Sequence, residues 1–515
     1  MTEIINRALL LAVQAGATGN ANTPFVLNAI KELSNNRSVP ANKALVEANV
    51  IRGAKVAVEL SRIQRGAVSS NYMPSILVGD NVLADLNNDL RRKSVDQGQP
   101  SQSWTSEEGI STKTSISAPP EIVVAGSLAV DLSCDYTPSP GGPHEPQQHT
   151  SNPSQISDSL GGVGNNIARA AHLLGTNVRL CTAVADDLAG RSALQALQDT
   201  GLDTCGVQVL PTTTGARTAR YIAINDAKKD VFIAVSDMSI IEHISPATIT
   251  QQFASHLAIP GSPKPSWLVA DGNWSPDTLH VWLSAARTHS IPTAFEPVST
   301  AKSLRLLSHN PSTYPKPTTD LATPNTLELT AMHTSARSSG LFGRQDWWTI
   351  VDAFGIPSSG ATGHLTYLTS PSLVTAGIPQ RALQLLPFIP TLATKLGADG
   401  VLLTMLLGQD DSRLSDPEAA PYILSRSGTG EMGVGGVYMR LFPAAEEVPE
   451  EEVVSVSGCG DTFLGALVAG LVADKRKGGA ARIEDVVMFA QRAACLTLRS
   501  KETVAPELKS MAFVR

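Results

Sequence analysis

Residues 455–471 read S-V-S-G-C-G-D-T-F-L-G-A-L-V-A-G-L. Gly458, Cys459 and Gly460 spell a tight turn, Asp461 follows at once, and the rest is apolar almost all round and good for helix. A glycine turn feeding a buried helix leaves backbone N–H groups at the helix start without intrahelical partners. With the helix dipole they attract anionic oxygen. A carboxylate beside such a site is misplaced as an anion ligand. It makes sense as a base that takes a proton from a hydroxyl while the N–H groups hold a phosphoryl group in transfer. Asp461 is equally suited to capping the helix, and the turn alone does not separate the two roles.

The chain of 515 residues is too long for one ordinary domain, which predicts two or three units. A hydrophobic content of 42% supports a sizeable core, and 33 prolines with 40 glycines indicate many loops. The formal charge of −7 argues against a nucleic-acid surface. Five scattered cysteines with no C-x-x-C pair read as reduced thiols, not a disulfide frame or zinc site, and predict a cytoplasmic protein. No uninterrupted apolar run is long enough to span a membrane. The opening M-T-E-I-I-N-R-A-L-L-L-A-V-Q-A-G carries an early acid and no cleavage site, so it reads as helix and not as a signal peptide.

Three helices are expected at the front: residues 3–15, one opened by Thr23-Pro24, and one over residues 40–63. Residues 64–119 lose periodicity and are rich in Ser, Asn, Asp, Gln and Pro, which predicts a disordered linker. At residue 121 the pattern changes. E-I-V-V-A-G-S-L-A-V-D-L reads as a buried strand, a glycine turn and Asp131 at the edge of a second strand. After a Pro/Gly/Gln-rich insertion at 135–157, Gly161, Gly162 and Gly164 open a helix through residue 175. Strands and helices then alternate: V-R-L-C-T-A-V, D-L-A-G-R-S-A-L-Q-A-L, two strands within 220–235, and buried strands at 267–273 and 292–298. This alternation predicts a mostly parallel α/β sheet with helices on both faces. Residues 303–322 and 408–452 read as irregular. G-T-G-E-M-G at 428–433 fits G-x-G-x-x-G, but a strand-like G-V-Y-M-R-L-F follows it, so it reads as a hairpin loop and not a dinucleotide fingerprint. The chain has no P-loop pattern.

Two resemblances follow from these motifs. The run G-A-T-G-N-A-N-T-P-F-V-L-N-A-I-K-E-L, continuing to about residue 63, resembles the C-terminal end of pseudouridine-5'-phosphate glycosidases. The resemblance implies that this family's catalytic lysine and metal-binding carboxylate would precede Met1. Residues 1–63, Asn42 included, are therefore expected to form a helical remnant without glycosidase chemistry. The region 120–511 resembles the PfkB, or ribokinase-like, family of sugar and nucleoside kinases. The resemblance rests on Gly161-Gly162-Val163-Gly164-Asn165-Asn166, on Asn325-Thr326-Leu327-Glu328 (N-x-x-E), on L-G-A-D-G-V at 396–401 and on Gly458-Cys459-Gly460-Asp461 (G-x-G-D).

That resemblance implies a ribokinase-like α/β fold with a small β lid, and ATP with Mg²⁺. Asp461 would be the base, with Gly458, Cys459 and Gly460 as the anion hole. Asp131, Gly162 and Asn166 would bind substrate. Asn325, Gly397 and Gly400 would lie on the nucleotide side, and Glu328 would act through the metal. For Asn325 a plain turn amide is the competing reading, for Asp131 an Asx turn, and for Gly162 a helix-start glycine. Many family members carry D-T-x-G-x-G-D, whereas Ser455 and Val456 stand at the first two positions here, which puts monovalent-cation activation in question. D-G-N-W-S-P-D at 271–277 and F-E-P-V-S-T-A-K at 295–302 look like pseudouridine kinases, so pseudouridine is the expected nucleoside substrate. Adenosine or ribose kinase, and a non-catalytic nucleoside-binding protein, are the alternatives. No nucleic-acid or membrane partner is expected, and the reading admits a homodimer.

Overall fold

The structure is a computed structural model. It describes residues 22–34 with scattered positions before them, and residues 119–511 save for 140–141, 230, 358–359, 477 and 479–481. The chain divides into two compact units, Met1–Ile110 and Ser111–Arg515. In the first, helix α1 (Asn22–Leu33) is the one expected from Thr23-Pro24, and it starts a residue earlier than that pair. The expected third helix and all of the expected linker but its last position lie outside the described residues.

The second unit is built on one ten-stranded sheet. From one edge it runs β13 (Ile423–Arg426), β14 (Val434–Phe442), β12 (Val401–Gly408), β11 (Thr391–Lys395) and β10 (Leu321–Ala322). It continues through β9 (Thr293–Glu296), β8 (Trp267–Asp271), β1 (Ile122–Ala125), β4 (Val178–Ala185) and β5 (Val207–Leu210). Every pairing from β11 to β5 is parallel, and the β11–β12, β12–β14 and β13–β14 pairings are antiparallel. The mostly parallel α/β sheet with helices on both faces expected from the motifs is therefore present.

Strand alternation divides the core into two layers. Val123, Ala125, Leu268 and Ala270 face one side, with Leu279 and Trp282 of α4 (Pro276–Thr288) and Leu329 of α5 (Thr326–Ser338). Ile122, Val124 and Val269 face the other, with Ile167 of α2 (Val163–Leu173), Leu467 of α6 (Cys459–Arg476) and Val487 of α7 (Ile483–Leu498). Successive side chains on a strand point to opposite faces, so strands apolar at every position need helices on both. The helix read from D-L-A-G-R-S-A-L-Q-A-L is α3 (Leu188–Asp199), capped by Asp187.

A second sheet orders β3 (Ser154–Gly161), β2 (Ala129–Tyr136), β6 (Arg220–Asn225) and β7 (Val231–Asp237). It is the small sheet expected beside the main one, and the strand pair within 220–235 belongs to it. The G-T-G-E-M-G loop joins the antiparallel strands β13 and β14, as a hairpin loop should. The 408–452 segment is less irregular than expected, because it carries both those strands, and β14 is buried along most of its length.

β1 lies between β4 and β8, so the chain leaves it in one direction and later returns on the other side. In open parallel sheets this reversal leaves a crevice beyond the strand C-termini, where ligands bind. On the side away from α6, the rings of Phe253, Trp274 and Trp282 meet with centroids 5.7–6.4 Å apart. Trp282 is fully buried there. Trp282→Ala should lower stability by about 3–5 kcal/mol through lost burial and an unfilled cavity, read as a lower urea midpoint by circular dichroism.

Candidate active site

The crevice is shaped by backbone turns that tolerate no side chain at two positions. Gly162 has φ +90°, and a Cβ there would lie 2.7–2.8 Å from the backbone of Ser127, Leu128 and Ala129. Gly458 has φ +78°, and a Cβ would lie 1.8 Å from the Thr503 carbonyl oxygen. Glycine answers both the positive φ and the close approach. The first turn starts α2 and the second starts α6.

At the start of α6, the N–H of Thr462 donates to the Gly458 carbonyl at 2.8 Å and that of Cys459 reaches Val456 O only at 3.5 Å. Among the described residues the N–H groups of Gly458, Gly460 and Asp461 have no acceptor. The Cys459 thiol is pushed up to about 12 by burial, with the negative charge of Asp461 adding to it, so it stays protonated.

Asp461 keeps part of its surface open, while its carboxyl is closely surrounded by protein. Burial lifts that carboxyl to about 6. The Asn166 hydrogen bond and the Lys395 charge oppose the rise, and the charges of Asp271 and Glu328 add to it. Asn166, 5% exposed, donates through Nδ2 to Asp461 Oδ2 at 2.8 Å and accepts at Oδ1 from the Thr503 hydroxyl at 3.0 Å. The structure thus joins residues 295 positions apart. Beside the substrate contact expected of it, Asn166 has protein partners in the structure, and its amide orients the Asp461 carboxyl.

Asp131 lies on β2 against the start of α2, where a Cβ on Gly161 would fall 1.9 Å from its Oδ2. Burial raises its carboxyl to about 6. Among the described residues no hydrogen bond reaches that carboxyl, and none joins it to Asp461. Glu328 and Asn325 form a capping box at the start of α5. Asn325 Oδ1 accepts from the N–H groups of Leu327 and Glu328, both at 2.9 Å, and Asn325 N donates to Glu328 Oε2 at 2.8 Å. The competing reading of Asn325 as a local turn amide therefore describes its oxygen, and Nδ2 alone is left to reach a ligand. Glu328 Oε1 has no partner among the described residues. Gly397 and Gly400 flank the turn between β11 and β12; a Cβ on Gly397 would meet no atom of the described residues within 4 Å beyond its chain neighbours, whereas a Cβ on Gly400 would meet Phe442 O at 2.1 Å. Gly400 is thus held by packing against the end of β14.

Three further groups complete the site. Asp271, at the end of β8, is fully buried and accepts from Ser127 N at 2.8 Å, Gly164 N at 3.0 Å and Asn273 Nδ2 at 3.0 Å. Glu296, at the end of β9, accepts from Thr323 Oγ1 at 2.5 Å and from Lys395 Nζ at 2.8 Å. Burial lifts Glu296 to about 7 against the pull of Lys395. Asp271 and Glu296 fall in the two blocks that look like pseudouridine kinases, so their location was signalled but not their role. Lys395, directly before L-G-A-D-G-V, had no such signal.

A family model described as pfkB family carbohydrate kinase matches residues 119–339 and 433–510, and one described as Indigoidine synthase A like protein matches residues 1–59. A pseudouridine-metabolizing bifunctional protein of Schizosaccharomyces pombe is 27% identical over 523 residues, covering 99% of this chain and 62% of its own length. The pseudouridine kinase of Escherichia coli is 30% identical over 188 residues, 36% of this chain and 54% of that protein. A pseudouridine-5'-phosphate glycosidase of Lysinibacillus sphaericus is 43% identical over 63 residues, 12% of this chain and 21% of that protein. The chain thus spans less than two thirds of each of these relatives. Both expected resemblances are met, and with more than half of its residues matched, the chain belongs to the pfkB family of carbohydrate kinases.

Proposed function

We propose that residues 120–511 transfer the γ-phosphoryl group of ATP to the 5'-hydroxyl of a nucleoside, pseudouridine. The observation that carries this reading is the Asn166–Asp461 hydrogen bond. It orients a carboxyl that its chain position places beside unpartnered N–H groups at a helix start, which is the pairing of base and anion site that phosphoryl transfer to an alcohol needs. The names of the S. pombe and E. coli relatives support pseudouridine as the acceptor.

In this mechanism the acceptor sits in the crevice between α2 and the small sheet, with Asp131 accepting from its sugar hydroxyls and Gly162 allowing close approach. Asp461 takes the proton of the 5'-hydroxyl as the new oxygen–phosphorus bond forms. The bond to the β-phosphate oxygen breaks and ADP leaves. The N–H groups of Gly458, Cys459 and Gly460 hold the phosphoryl oxygens in transit. Asn325 Nδ2 and the 397–400 turn face the nucleotide. Mg²⁺ bound with ATP would neutralise phosphate charge. Glu328 suits it, because its free Oε1 can hold a metal-bound water and magnesium takes few protein carboxylates.

Asp461→Asn should cut turnover by about a thousandfold, the scale of a lost general base, and leave ADP affinity nearly unchanged by calorimetry. Turnover near the wild-type value would remove Asp461 from the base role. A base must be ionised, so kcat/KM should fall about tenfold per pH unit below the Asp461 pKa of about 6 and level off above it. An acid limb centred near pH 4 would contradict this. In a nucleoside panel read by ADP release, pseudouridine should give the highest kcat/KM, and a higher value for adenosine or ribose would reassign the acceptor.

A further inference from the structure

Lys395 ends β11, and its backbone N–H donates to Pro324 O at 2.8 Å, which ties it to the segment leading into Asn325–Glu328. Its side chain runs toward the start of α6. A Cβ on Gly460 would lie 3.0 Å from Lys395 Nζ, 3.7 Å from Cε and 3.9 Å from Cδ, so the stem lies over the bare Cα of Gly460. The side chain is 17% exposed and that of its partner Glu296 is 4% exposed. An ammonium has three donors. Among the described residues Lys395 uses one, to Glu296 Oε1, and two have no protein acceptor.

An ion pair kept only for stability is poorly served by this arrangement. Taking both charges out of water is costly unless the remaining donors are satisfied. The unspent donors sit beside the unpartnered N–H groups of Gly460 and Asp461, where an anion would complete them. A lysine is a compact charge on a flexible stem, suited to following a phosphate that moves.

We propose that Lys395 is a catalytic residue whose ammonium, held over Gly460 by Glu296, contacts the γ-phosphoryl group of the nucleotide and stays with it during transfer. Glu296 is a positioning residue that acts through Lys395. Lys395 remains charged throughout and exchanges no proton. The inference rests on the phosphoryl-transfer reading above.

The experiment compares wild type with Lys395→Met in calorimetric binding of β,γ-imido-ATP and of ADP with magnesium, and in nucleoside-dependent ADP release. The variant should bind β,γ-imido-ATP at least about tenfold more weakly and keep ADP affinity within about threefold, because the lost contact is to the γ-phosphate alone. Turnover should fall about a hundredfold with nucleoside KM unchanged. Removing Lys395 leaves Glu296 buried without its cation, so the double variant Lys395→Met/Glu296→Gln is measured alongside and should show the same selective loss. Affinities for both nucleotides that stay at wild-type values, or fall together, in either folded variant would overturn the proposal and leave a structural ion pair. A wild-type protein that releases no ADP with any nucleoside would refute the transfer reading, while the ratio of the two nucleotide affinities still decides the role of Lys395.

Discussion

The cleft takes its shape from the carboxylate of Asp271. It is fully buried and accepts five hydrogen bonds, from Ser127 N and Oγ, Gly164 N, and Asn273 N and Nδ2. A carboxylate withdrawn from water is tolerable only when its oxygens are satisfied in this way. The donors come from the turn after β1, the first turn of α2 and the turn after β8. One charge therefore fixes three segments at the reversal point of the sheet. Ser127 Oγ extends the hold by accepting from Val163 N at 3.1 Å, and Lys302 Nζ steadies Asn273 from the far side at 2.6 Å. With α2 held, Asn166 is held, and Asn166 aims the carboxyl of Asp461.

Acidic groups dominate what surrounds that carboxyl. Asp271 and Glu328 raise the proton affinity of Asp461, and Asp461 in turn raises that of Glu296. Lys395 opposes the trend at both Asp461 and Glu296. Burial and like charge together move two carboxyls toward neutrality, where proton transfer is easiest to balance. A triphosphate entering this region would add more negative charge. In the proposed reaction the free N–H groups of α6, the ammonium of Lys395 and a divalent ion would supply the compensation that the carboxylates do not.

Much of this was legible in the sequence because it depends on backbone. Gly162 and Gly458 announce turns that no other residue could make, and the apolar runs around residues 122, 180 and 268 announce strands buried on two faces. The order of Gly161-Gly162, Asn325–Glu328 and Gly458–Asp461 then pointed to one family. Side-chain partnerships were harder to read. Asn166 looked like a ligand to substrate hydroxyls, and nothing local revealed Asp461 and Thr503 as its partners. Asn325 looked like a phosphate contact, although its oxygen closes a helix start. Lys395 belongs to no spaced motif, and lysine is common enough on surfaces that only the fold, by laying it over Gly460, separates it from the others. Strand β13 was obscured by the glycines and prolines of the loops around it, whereas the strand-like run G-V-Y-M-R-L-F already marked β14.

The division of the core into two layers has a consequence for how such a chain can change length. In β1 each residue faces the opposite layer from the one before it, and both layers are filled. Inserting one residue there would exchange Val123 and Ala125 with Ile122 and Val124 and disturb two packed interiors at once. The hairpin loops at 142–153 and 427–433 carry no such obligation, since they join strands without entering either layer. Evolution is therefore free to lengthen or trim this protein at its rims, while its central strands are held to a fixed count of residues.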